Sequence, residues 1–227
     1  VLEAHLYNNI FIPGQKTNLT SYEILQTLFS IREVITQQHN GLFLPLLDNL
    51  ISKVQLFGLY FASLDVRQES SVHNTVLESI AGMDNVLPSN YATLDAKGKT
   101  DVLGNIQGKI KLDGLEDAVV KDTLASVIAI KTIQQYNGES GCNRYIISHC
   151  NSALNVLEVY GLFLLGGWSK ENLSIDIVPL FETIEDLQAA PEIMAELYDN
   201  GVYKKHLKQR NNRQTIMVGF SDGTKGG

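Results

Sequence analysis

Apolar positions change their spacing several times along this chain, and each change marks an element. Residues 1–19 are mixed and turn-rich, with Asn8, Asn9, Pro13 and Gly14, and read as a connection or the tail of an earlier element. From Ser21 onward Ile24, Leu25, Leu28, Phe29, Ile31 and Ile35 form a stripe at helical spacing, closed by His39-Asn40-Gly41. Leu42 to Val54 predicts a second helix starting near Pro45. Leu56, Phe57, Leu59, Phe61, Leu64 and Val66 are too dense for a solvent-facing helix, and predict a buried strand over 56–67 that ends at Arg67. A helix follows from about Ser71 to Ala81. Residues 82–115 are weakly patterned, with a helix entry at Pro88-Ser89-Asn90, and 116–136 form the clearest helix, stopped by Asn137-Gly138.

The second half repeats one device. Arg144–Ser148 is a short strand, followed by a helix from about Ser152 to Leu165 that stops at Gly166-Gly167. Ser174 to Glu182 is a strand whose apolar residues, Ile175, Ile177, Val178, Leu180 and Phe181, run directly into a carboxylate. Thr183 is placed to cap the next helix, Ile184 to Tyr198, with Glu185 and Asp186 in its first turn. A short helix near Val202–Lys208 and a last strand, Gln214–Phe220, lead into Ser221-Asp222. Four strands, three of them followed by helix and none joined by a hairpin signal, imply parallel pairing with helical crossovers. The expected class is helix-rich α/β, with residues 1–55 as a helical lead-in and 56–227 as a partial (β/α) barrel.

Composition narrows the function classes. Of 227 residues 44% are apolar and 19% charged, enough to bury a core, and no window approaches the run of about 18 apolar residues a membrane span needs. Net charge is −7 with scattered basic residues, which argues against a nucleic-acid partner. Cys142 and Cys150 form no CxxC knuckle, and a reducing, cytoplasmic setting is expected. The chain starts on Val1 and stops just after a strand-like run, so both ends read as cut from a longer protein.

Residues at the strand ends carry the candidate chemistry. They are Arg67, Ser148 with His149, Glu182 and Asp222, which a parallel barrel would gather on one rim. Two carboxylates from different strands suit Mg²⁺ or Mn²⁺, which take one or two carboxylates plus substrate oxygens. An arginine adds a fork of donors for phosphate or carboxylate, and Lys225 adds a point charge three residues past Asp222. The constellation suggests a phosphorylated oxyacid held on a metal. Spacing alone leaves Glu182 open between a helix cap, a surface charge and a ligand, and leaves Arg67 open between an anion contact and an ion pair with Glu69. His73, at a helix start, reads as a packing or hydrogen-bonding histidine. A Cys–His nucleophile at His149-Cys150 is rejected, because adjacent strand residues face opposite ways.

These segments resemble a known family. Leu64-Asp65-Val66-Arg67-Gln68-Glu69-Ser70 with His73 is similar to the L-D-I-R-Q-E-S-x-x-H segment of phosphoenolpyruvate carboxylases. Tyr145-Ile146-Ile147-Ser148 with Asn155-Val156-Leu157 resembles their Y-V-I-S…D-V-L. Val178-Pro179-Leu180-Phe181-Glu182-Thr183 with Asp186-Leu187 resembles V-P-L-F-E-T-x-x-D-L, and Met217 to Asp222 with Lys225 resembles M-I-G-Y-S-D-S-x-K. The four segments occur in the family's order.

The resemblance implies part of an eight-stranded barrel in a homo-oligomer, tetrameric in the family, using phosphoenolpyruvate, bicarbonate and Mg²⁺ or Mn²⁺ to make oxaloacetate and phosphate. It implies Glu182 and Asp222 as metal ligands and Arg67 and Lys225 as active-site contacts to the substrates. The family's A-H-P-T segment and its H-G-R-G-G loop are absent from this sequence, and Gly226-Gly227 stand where Asp-Ala/Gly-Gly is usual. The chain alone is therefore expected to be inactive, with about half a barrel whose open edges favour self-association, low solubility or a rearranged fold. Two alternatives are another metal-dependent barrel lyase or aldolase acting on pyruvate enolates, and a non-catalytic assembly or regulatory module.

Overall fold

The computed structural model describes residues 2–12 and 19–219. Two compact units divide the chain: residues 1–63 with 133–141, and residues 64–132 with 142–227.

The first unit is helical. Helices α1 (Leu2–Phe11), α2 (Ser21–Gln38) and α3 (Leu44–Phe57) bury Ile24, Leu28 and Ile51, against which Leu2, Leu6, Leu47 and Val54 pack. Thr20 caps α2 in a reciprocal box with Glu23, satisfying two donors that a helix start leaves unpaired. Leu2 and Leu6, one turn apart, give α1 an apolar stripe that packs on the α2–α3 core.

The expected strand over 56–67 is corrected at both ends. Leu56 and Phe57 complete α3, Gly58 ends it at φ 53°, and Phe61 turns back to stack on Phe57 with ring centroids 5.0 Å apart. The strand begins only at Asp65 and runs through Arg67 to Glu69. Apolar density misled here because the residues are not buried: Leu56 is 72% and Phe61 76% exposed.

The second unit holds the sheet. Strands β1 (Asp65–Glu69), β2 (Arg144–Ser148), β3 (Asp176–Phe181) and β4 (Met217–Val218) lie side by side in chain order, every neighbouring pair parallel. The intervening helices are α4 (Ser70–Ser79), α5 (Ala96–Gly104), α6 (Ala118–Asn137), α7 (Ala153–Leu165), α8 (Ile184–Asp199) and α9 (Gly201–Gln209), with residues 133–137 of α6 counted in the first unit.

Strand alternation separates two faces. Tyr145 and Ile147 face the helices, and Tyr145 meets His73 of α4 and packs edge-on to Phe163 of α7. The opposite face carries Arg67, Ile146 and Val178 in one row and Glu69 and Ser148 in the next. Helix α7 is the core of the unit, apolar nearly all round and buried from Val156 to Leu165. Gly161 lets α5 approach it, since a Cβ there would lie 2.5 Å from Leu103 Cδ2.

Candidate active site at the carboxyl ends of the strands

Glu182 follows β3 directly and is fixed from its own backbone. Its N–H donates to Asp186 Oδ2 (3.3 Å), which also accepts from Thr183 N–H (3.1 Å), while Asp186 N–H donates to the Thr183 hydroxyl (3.1 Å). This is the capping box of α8, so the geometry that starts the helix also sets the angle at which Glu182 leaves the strand. Desolvation pushes the Asp186 carboxyl up, but the hydrogen bonds from the Thr183 backbone and hydroxyl and from Glu182 outweigh it and hold the group below its ordinary value.

Strand β4 closes on the same residue. Gly219 N–H donates to Phe181 O at 2.8 Å, and a Cβ on Gly219 would lie 2.9 Å from Glu182 Cα and 3.2 Å from its carbonyl oxygen. Only a glycine allows this approach.

The Glu182 carboxylate takes donors from two other strands. Arg67 Nη2 donates to Oε1 at 2.7 Å, and the N–H of His149 donates to Oε2 at 3.2 Å. Arg67 lies in the middle of β1, in register with Ile146 and through it Val178, rather than at the strand's end as expected. Its long side chain carries the guanidinium to the rim. The partner predicted as an alternative, Glu69, instead accepts from Ser71 at 3.1 Å. With side chains 49% and 24% exposed, the Arg67–Glu182 pair is worth at most about 1 kcal/mol and is readily exchanged for a stronger partner.

His149 reaches Glu182 through its backbone, in a left-handed turn (φ 50°) just past β2. The next peptide is held at both ends: Ser70 Oγ donates to His149 O at 2.7 Å, and Cys150 N–H donates to Leu180 O at 3.3 Å. Ser70 and this turn escaped sequence reasoning. Ser70 stands inside the R-Q-E-S segment, which was the available signal; the sign of φ at residue 149 leaves none.

The remaining candidates fall away from this cluster or outside the described residues. Asp222 and Lys225 lie outside them. His73 is buried and shares a 3.0 Å hydrogen bond with the Tyr145 hydroxyl, in keeping with a packing role. Cys150 is buried and its thiol is pushed up to about 12 by desolvation, which leaves it protonated and unreactive.

No group of three His, Cys, Asp or Glu side chains among the described residues is placed to hold a metal. The oxygen donor that is described, the Glu182 carboxylate at a partly open rim, suits a hard divalent cation completing its shell with water or substrate.

Known proteins resemble the chain over nearly its whole length. A family model described as phosphoenolpyruvate carboxylase matches residues 4–227. The chain is 30% identical over 212 residues to the phosphoenolpyruvate carboxylase of Gloeobacter violaceus, 32% over 206 to that of Xanthomonas campestris pv. campestris, and 32% over 249 to that of a Synechocystis strain. These alignments take in 90%, 89% and 95% of this chain but only 22%, 22% and 24% of the relatives, so the chain spans less than a quarter of their length.

Proposed function

The chain belongs to the phosphoenolpyruvate carboxylase family, and from that membership we propose that it supplies the metal-binding carboxylate and one anion-binding arginine of such an enzyme. The observation that carries this reading is the convergence of Arg67 and Glu182 at the carboxyl ends of parallel strands. Parallel-sheet enzymes place their chemistry at that end. Strands in unbroken chain order, with no reversal, favour one segment of a closed (β/α) barrel over a doubly wound sheet.

Glu182, with Asp222, which follows β4 in the sequence, would hold Mg²⁺ or Mn²⁺. A bound ion of this kind stabilises negative charge developing on phosphate and enolate oxygens. Arg67 uses only Nη2 on Glu182, and its other N–H groups form the flat fork that fits a phosphate or carboxylate edge. Lys225 would bring a second positive charge to the same anion. Bicarbonate takes the phosphoryl group from phosphoenolpyruvate, giving carboxyphosphate and the enolate of pyruvate. Carboxyphosphate then yields CO₂ and phosphate, and the enolate carbon adds to CO₂ to form oxaloacetate. The chain's part in this sequence is to orient the phosphorylated oxyacid and balance its charge. The proton-handling histidine of the family's A-H-P-T segment is not in this sequence, so the chain alone is expected to be inert.

The test is bicarbonate-dependent oxaloacetate formation by the full-length parent protein with Mg²⁺ or Mn²⁺. The reading expects activity that Glu182→Ala abolishes, and no activity from residues 1–227 by themselves. A parent protein that cleaves phosphoenolpyruvate without any need for bicarbonate would contradict it.

A further inference from the structure

We propose that Ser70 is a positioning residue for Glu182, acting through the backbone of His149. The inference rests on the reading of Glu182 as a metal ligand, but its geometry stands on three hydrogen bonds. Residue 149 sits at φ 50°, a region that side-chain-bearing residues avoid and hold only when their surroundings enforce it. The enforcement here is the clamp on the peptide that follows, with Ser70 Oγ on its carbonyl (2.7 Å) and Leu180 O on its N–H (3.3 Å). With that peptide fixed, the N–H of His149 is directed at Glu182 Oε2 (3.2 Å). The His149 side chain is exposed and the bond to Glu182 comes from its backbone N–H, so the device reads out a backbone shape.

Ser70 suits the task. It is 6% exposed and opens α4 immediately after β1, so its hydroxyl is held by a helix start and a strand end together. Removing the hydroxyl releases one end of the clamp, lets residue 149 relax to negative φ, and takes the N–H away from Oε2. Glu182 then keeps Arg67 on its other oxygen and loses the donor that sets its rotamer. Partners of this kind, one bond removed from a metal, orient the ligand rather than bind the ion.

The experiment is a double-mutant cycle on the amide resonance of residue 149, with a Mn²⁺ titration beside it, in the 227-residue chain. Glu182→Gln is expected to move the residue 149 amide in the Ser70 background and to leave it in place in the Ser70→Ala background. Ser70→Thr restores the response. Ser70→Cys, close in size and only a weak donor, repeats the loss should the alanine variant fold poorly. His149→Gly, which keeps the N–H and suits the left-handed backbone, keeps the response. Ser70→Ala is also expected to weaken Mn²⁺ binding by about tenfold, the scale on which outer partners act. An amide response to Glu182→Gln that is equal in the Ser70 and Ser70→Ala backgrounds, or absent from both, overturns the proposal. A chain that binds no Mn²⁺ refutes the metal reading instead, and the amide cycle still decides the role of Ser70.

Discussion

Glu182 already has a donor on each carboxylate oxygen, and the two differ in how easily they can leave. The Arg67 guanidinium is half exposed and can follow an anion; the His149 N–H belongs to a clamped turn. Arg67→Gln should therefore change the chain's stability by no more than about 1 kcal/mol in urea unfolding, because the pair it breaks is solvated. Away from the rim, burial shifts other groups, and the sign of each shift fixes a pH dependence. His73 and His206 are buried, each with an Nδ1 that makes no hydrogen bond among the described residues, and desolvation lowers both to about 4. The unfolded chain takes up these protons near the ordinary value of 6.5 and the folded chain does not. Stability from the two histidines is complete above 6.5 and drains away as pH falls toward 4.

Glu158 runs the other way. It lies beside Asn155 on α7, 1% exposed, and desolvation raises it to about 7, the Asn155 amide and the Lys99 charge opposing only in part. Between its ordinary 4.5 and 7 the folded state holds a proton that the unfolded state has lost, so ionising Glu158 costs stability as pH rises. Glu158→Gln should accordingly stabilise the chain at pH 8, by on the order of 3 kcal/mol at the limit, and give little at pH 4. Thermal melts of the two proteins at both pH values test this. Glu182 was legible as a carboxylate at a strand end, whereas Arg67, expected at the end of its strand, lies in the middle of β1. Ser70 and His149 were not legible, because their roles depend on the sign of one dihedral and on bonds spanning 79 and 33 residues.

Among the elements, those with a clean period were readable: α2, α6, α7 and α8 fall within a few residues of where the apolar stripes place them. The stretch from Leu56 to Leu64 was not, since a dense apolar run suits a buried strand and a helix end equally, and here Leu56, Phe61 and Leu64 lie in the open while Leu59 packs on the helical core. Two short connections position the site and can be tested by substitution. Thr183→Ala removes the hydroxyl from the α8 capping box and should cost about 1 kcal/mol in chemical unfolding. Gly219→Ala puts a methyl group against the Glu182 backbone, 2.9 Å from Cα, where no flexible side chain can yield. A loss of roughly 2 kcal/mol is expected, together with weakening of the hydrogen bond from residue 219 to Phe181 O, read as faster amide exchange at residue 219.

At the scale of the molecule, the sheet ends at β1 on one side and at β4 on the other among the described residues, and an outer edge of this kind is open to pairing with another strand. The first unit adds exposed apolar side chains at Leu42, Phe43 and Leu46. Surfaces of this kind associate in water, so sedimentation of the chain should show species heavier than a 25.1 kDa monomer that grow with concentration. No helix among the described residues is long and apolar enough to cross a membrane. Family membership was visible in four short segments, whereas the partners of the sheet's edges depend on contacts that a local pattern does not encode. Whether Glu182 binds a metal is read most plainly by Mn²⁺ titration of the chain followed by electron paramagnetic resonance. Saturable binding by the wild-type chain that is lost in Glu182→Gln is expected of a metal ligand; equal binding by the two proteins would rule that role out.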